Sequence, residues 1–125
     1  MELNEKIQKA YKGVKNYPML VKKLLAIKVK SYTVDVATGT ILYRFSKGRQ
    51  VMHAGTAERS IASTFHKEQT IQAVRDNQAG KTGYPEFMDG IAGAGVRFYE
   101  ATLNGDDKRV TYIGAGGFYE EKIPV

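Results

Sequence analysis

A chain of 125 residues, 42% of them hydrophobic, has the length of one domain and enough apolar side chain to bury a core. It contains no cysteine, which excludes disulfides, thiolate metal ligands and a cysteine nucleophile. The formal charge of +6 is concentrated at one end: eight lysines meet two glutamates within residues 1–30, and the other eleven basic and eleven acidic residues cancel.

No apolar run approaches the roughly 18 residues needed to span a bilayer. The opening MELNEKIQKA lacks the apolar centre of a signal peptide, so the expected location is the cytoplasm.

Leu3, Ile7, Ala10, Tyr11 and Val14 mark one face of a first helix. Gly13 and the Asn16, Tyr17, Pro18 run break it and start a second, with Met19, Leu20, Leu24 and Ile27 among its apolar residues. Near Val29 the period changes to two. A hairpin follows, turning at Thr38 and Gly39. With Val36 opposite Ile41, one face carries Tyr32, Val34, Val36, Ile41, Tyr43 and Phe45; the other carries Thr33, Asp35, Leu42 and Arg44. A turn at Lys47 and Gly48 leads to a short strand over 50–54, with Met52 expected on the apolar face.

Residues 55–66 show no clear period; Ile61 and Phe65 are their apolar anchors. A helix is expected from Lys67 to Ala79, ended by Gly80. The next helix starts at Tyr84 and Pro85, buries Phe87, Ile91 and Ala94, and stops at Gly95, where a C-terminal cap needs a positive φ. Strands over 96–103, 108–113 and 118–123 follow, with turns at 104–107 and 114–117.

The order helix, helix, three strands thus occurs twice. An offset of 67 residues brings Gly13 onto Gly80, Tyr17 and Pro18 onto Tyr84 and Pro85, Leu20 onto Phe87, Leu24 onto Ile91, Val29 onto Val96, and Tyr32 onto Tyr99. After a two-residue insertion Tyr43 meets Tyr112 and Gly48 meets Gly117. The expected architecture is α+β: one domain, residues 1–125, with an antiparallel sheet covered on one side by helices. Its pseudo-repeat units would be 1–54 and 58–125.

Phe87, the run Ala94, Gly95, Val96, then Tyr99, Tyr112, Gly116, Gly117, Ile123 and Pro124 resemble the YbcV/YdfO-like family. That resemblance implies a small bacterial or prophage-borne domain of unknown function, some members being labelled phage envelope protein. It implies no activity. The His-Gln-Gly-like segment that often precedes the Phe helix in that family reads Asn77, Gln78, Ala79, Gly80 here.

No residue pattern calls for a cofactor, metal or catalytic group. The glycine-rich run 90–95 closes a helix and opens a strand, the reverse of a dinucleotide fingerprint. His53 and His66 have no ligand spacing with carboxylates. Two candidate sites remain. Lys6, Lys9, Lys12 and Lys15 step around the solvent side of the first helix and could contact nucleic-acid phosphates. Asp35, Arg44 and His53 are expected on the polar sheet face, the first and last about 9–10 Å apart across two strands. Tyr32, Tyr43, Tyr99 and Tyr112 read as core aromatics.

Three function classes stay open. The first is a non-catalytic binding or accessory module acting through a protein partner, in line with mobile-element origin, with a homo-oligomer as one form of partnership. The second is a weak nucleic-acid or polyanion binder using the lysines. The third is a small-molecule site, or an enzyme, in the groove between the two units.

Overall fold

A computed structural model describes residues 2–123. Its elements are α1 (Leu3–Tyr11), α2 (Tyr17–Ala26), β1 (Ser31–Asp35), β2 (Ile41–Arg44), β3 (Gln50–His53), α3 (Lys67–Gln78), α4 (Tyr84–Gly93), β4 (Val96–Thr102), β5 (Arg109–Gly114) and β6 (Gly117–Lys122). The architecture is α+β. The six strands form one antiparallel sheet in the order β3-β2-β1-β4-β5-β6. The first strand of each half therefore pairs at the centre, and each hairpin extends outward. Pro124, which belongs to the family resemblance, lies outside the described residues.

One sheet face is buried. Tyr32, Val34, Tyr43, Tyr99, Ala101, Val110 and Tyr112 join Ile7, Val21, Leu24, Val74, Phe87, Met88 and Ile91 of the helices in a single core. Both Tyr-Pro sites start helices as the fixed φ of proline favours. Asn16 caps α2 by accepting a hydrogen bond from the Met19 amide (2.9 Å). Glu86 reaches back to the Gly83 amide at the start of α4 (2.8 Å).

The β1–β2 register differs from expectation by two residues: Ile41 faces Val34, not Val36. The chain needs a wider loop, closed by the Gly39 amide donating to the Asp35 carbonyl (2.7 Å) with Gly39 at φ +80°. A shift of two preserves side-chain parity, so the apolar face keeps the expected residues.

In β3 the parity itself differs. Met52 is 65% exposed, while Val51 lies opposite Tyr43 and packs on the core. The cause is the preceding turn, Ser46–Gly48, in which Lys47 and Gly48 both take positive φ. It places Arg49 against Phe45 through an amide–carbonyl bond of 2.8 Å, and odd-numbered residues then point inward.

Residues 54–66 form no helix or strand, yet they are tied down along their length. The amides of Ala57 and Arg59 donate to the carbonyls of Thr38 and Ala37 (3.0 and 2.9 Å). Those of Ala62 and His66 donate to Ala92 and Ala94 at the end of α4 (3.0 and 2.8 Å), and that of Phe65 to Ala115 (3.0 Å). This strap crosses one end of the sheet from β3 to α3, with Ile61 and Phe65 packed on the core. Gly95 is required where it passes. Its φ is +86°, and a Cβ there would lie 2.2 Å from the Thr64 carbonyl oxygen.

Candidate functional site

Tyr17, at the start of α2, and Tyr32, on β1, bring their hydroxyls together at 2.5 Å. Tyr84, at the start of α4, and Tyr99, on β4, do the same at 3.3 Å. Each bond joins residues fifteen apart in sequence. The central register puts Tyr32 beside Ala101 and Tyr99 beside Val34, so the two sheet tyrosines are diagonal neighbours on the buried face. Such neighbours sit about 7–8 Å apart. On either side, Tyr32 packs on Tyr43 and Tyr99 on Tyr112, with ring centroids 5.9 and 5.3 Å apart.

Tyr11, Tyr17, Tyr32, Tyr84, Tyr99 and Tyr112 line a cavity of about 440 Å³. Leu20, Val34, Ile41, Val74, Phe87, Val110 and Ile123 supply apolar wall, and both halves of the chain contribute. Three lining pairs differ by 67 in number: Tyr17 and Tyr84, Leu20 and Phe87, Tyr32 and Tyr99. Tyr11 and Tyr84 are 40% and 49% exposed and stand at the solvent edge. Tyr11 is held there by a 2.6 Å hydrogen bond to Tyr43. The volume falls within the usual range for small-molecule sites, about 300–1,000 Å³.

Burial fixes the protonation state of the phenols. It pushes Tyr17 up to about 12, and holds Tyr32, Tyr99, Tyr43 and Tyr112 well above the usual phenol range. At neutral pH the site therefore presents neutral hydroxyls. Glu121, the carboxylate lining the cavity, is already engaged. It accepts hydrogen bonds from Arg75 (2.8 Å), the Tyr119 hydroxyl (2.7 Å) and Gln78 (3.3 Å). A neutral, mostly apolar interior with a few phenolic hydroxyls is suited to holding a molecule through apolar contact and hydrogen bonds.

The residues singled out from sequence lie elsewhere. Asp35 and Arg44 are on the uncovered sheet face but do not meet. Asp35 accepts from the Thr38 hydroxyl (2.5 Å), whereas Arg44 contacts Thr33 (2.7 Å) and Glu100 (3.4 Å). His53 is not on that face. The β3 parity turns it to the helix side, edge-on to Tyr43 at 5.2 Å and 2.5 Å from the Asn4 side-chain oxygen. His66 is exposed at the N-cap of α3. Among the described residues no group of three or more His, Asp and Glu side chains could hold a metal ion.

The four lysines do not share a helical face. Helix α1 ends at Tyr11, so only Lys6 and Lys9 lie on it. Lys12 is extended, and Lys15 follows Gly13, whose φ of +72° turns the chain. The Lys12 carbonyl accepts a hydrogen bond from Lys23 (2.6 Å).

The residue pattern places the four sheet tyrosines in the core and gives Tyr17 and Tyr84 no role beyond starting helices. The signal that could have found them is the fifteen-residue spacing from each Tyr-Pro tyrosine to a strand tyrosine, present in both halves.

Fold and site together define an α+β protein with a tyrosine-lined apolar cavity between its helices and its sheet. The chain belongs to the family described as Protein of unknown function (DUF1398), whose model matches residues 5–117. No curated protein matches it. Among the described residues no helix is long and apolar enough to cross a membrane.

Proposed function

We propose that the protein is a binding module whose occupant is a small, largely apolar molecule held in the tyrosine-lined cavity. The observation that carries this reading is an apolar space of about 440 Å³ reached past two half-exposed tyrosines. In this reading the chain is one cytoplasmic domain whose two units, 1–54 and 58–125, are related as a pseudo-repeat and share the cavity. The offset of 67 between three pairs of lining residues supports it. The proposed mobile-element origin rests on the YbcV/YdfO-like resemblance.

The test is binding of 6-propionyl-2-(dimethylamino)naphthalene, a neutral ketone whose emission shifts to the blue when water is excluded. Saturable binding with a blue shift is expected, and it should be lost in Ile41→Phe and Leu20→Trp, which fill the space from opposite walls. Absence of saturable binding by the wild type, or equal binding by folded filled variants, overturns the reading.

A protein partner on the uncovered sheet face is the second reading. It rests on a row formed by Phe98, Ile113 and Phe118 in adjacent strands, with Phe118 62% exposed. Phe118→Ser should then abolish association in sedimentation experiments with co-purifying protein while leaving cavity binding intact.

A further inference from the structure

We infer that Tyr112 anchors the occupant of the cavity: its hydroxyl donates a hydrogen bond to an acceptor oxygen, a carbonyl or an ether, on an otherwise apolar ligand. This rests on the reading of the cavity as a small-molecule site and adds a residue that sets its specificity.

Tyr112 differs from the other seven tyrosines in one respect. Tyr11 bonds Tyr43, Tyr17 bonds Tyr32, Tyr84 bonds Tyr99, and Tyr119 donates to Glu121. Among the described residues the Tyr112 hydroxyl has no such partner, although the residue is only 5% exposed and lines the cavity. Thr82 Oγ1 is the one side-chain polar atom among the described residues that is both unpartnered and sealed from solvent, so the Tyr112 oxygen keeps an open side. On the helix-covered face of the sheet that open side is the cavity.

The two halves of the chain show how this hydroxyl comes to be left over. An offset of 67 puts Gln78 at the place of Tyr11, and Tyr112 answers to Tyr43 once the two-residue insertion is allowed. In the first half Tyr11 turns to Tyr43 (2.6 Å). In the second Gln78 turns elsewhere: its amide donates to Glu121 (3.3 Å) and its oxygen accepts from Arg75 (3.0 Å). The contact that occupies Tyr43 therefore has no counterpart at Tyr112. The Tyr112 ring is meanwhile held by Tyr99, Tyr119 and Phe87, with centroids 5.3, 6.1 and 6.4 Å away. A clamped ring fixes where its oxygen sits and leaves the proton free to swing about the C–O bond.

A phenylalanine would pack the same ring without placing a polar atom in an apolar wall. The hydroxyl adds a donor that a bound apolar guest strips of water, a cost that an acceptor on the guest offsets. Acceptor lone pairs go unfilled more readily than donors do, so the matching ligand atom is an acceptor. The paired tyrosines in the wall keep polar capacity as well, so Tyr112 fixes one contact and not the ligand's whole complement of polar atoms.

Equilibrium dialysis of 2-acetylnaphthalene and 2-isopropylnaphthalene, a ketone and a hydrocarbon of the same shape, against the wild type and Tyr112→Phe tests this. The variant should weaken the ketone about three- to tenfold, the worth of one hydrogen bond. It should leave the hydrocarbon bound as tightly or more tightly. Its melting midpoint without ligand should not fall, because the lost hydroxyl bonds nothing in the protein; a hydroxyl with a structural role would cost stability when removed. Unchanged ketone affinity, equal losses for the two compounds, or a lowered midpoint of Tyr112→Phe (failure to fold included) overturns the anchor, while saturable binding of either compound to the wild type keeps the cavity reading. Failure of both compounds to bind the wild type overturns both.

Discussion

The hydroxyl oxygens of Tyr17 and Tyr32 stand 2.5 Å apart, and the same contact recurs 67 residues later between Tyr84 and Tyr99 at 3.3 Å. Both bonds tie the first turn of a helix to a central strand. Their recurrence supports the pseudo-repeat and leads to its test. In an experimentally determined structure, residues 18–45 and 85–114 should superimpose with Tyr32 on Tyr99 and Tyr43 on Tyr112, allowing the two-residue insertion. Backbone paths that diverge outside the hairpin loops would remove the idea.

Gly95→Ala should destabilise the protein by about 2–4 kcal/mol, since it adds a left-handed penalty to a collision with the Thr64 carbonyl. Gly116→Ala is the control. It has the same φ of +86° but nothing within 4 Å of the added methyl, and should cost only about 1 kcal/mol. Equal shifts in denaturant midpoint for the two variants would show that the strap does not press on Gly95.

Alkaline pH should unfold the protein through its phenols. Burial raises the folded-state value of Tyr17 to about 12 and raises Tyr32, Tyr43, Tyr99 and Tyr112 as well. An unfolded phenol ionises near 10. The unfolded chain therefore releases these protons first, so their contribution is complete below about pH 10 and is lost as pH rises towards 12. Tyrosinate absorbance should lag the usual phenol curve and then rise together with loss of circular dichroism. A smooth rise centred near pH 10 with the fold intact would contradict this.

The N-terminal lysines should not bind nucleic acid. Lys6 and Lys9 are on α1, but Lys12 and Lys15 lie beyond its end, so the four do not form the single helical face that the sequence suggested. Labelled duplex DNA should show no anisotropy change at about 50 mM salt. Binding that weakens steeply with salt and disappears when the four lysines become glutamine would overturn this expectation.

Much of the fold was legible because local signals agreed. Proline starts, glycine stops and period-two runs located four helices and both hairpins, and parity alone chose the buried tyrosines. The errors came where a turn's geometry outweighs composition. Gly39 and Thr40 widen the first loop, shifting register by two without harm to the faces. Lys47 takes a positive φ that its residue type does not announce, and this reverses which side His53 and Met52 occupy. Residues 55–66 were opaque because their order comes from backbone bonds to Ala37, Thr38, Ala92, Ala94 and Ala115, none of them near in sequence. A small-molecule site in the groove between the two units was one of the three function classes read from the sequence, but the cavity's place between helices and sheet and its tyrosine lining were not legible, for a related reason. A void is made by what side chains leave unfilled between elements, and no single residue encodes it.

The chain has no tryptophan, and six of its eight tyrosines border the cavity. Its intrinsic ultraviolet emission therefore originates mostly from the walls of one chamber. A guest in that chamber would touch the emitting rings, so tyrosine emission is the signal to follow, with no dye attached. Untagged protein could thus report directly on fractions of a cell extract, and the chromophores that record a guest are the same side chains proposed to hold it.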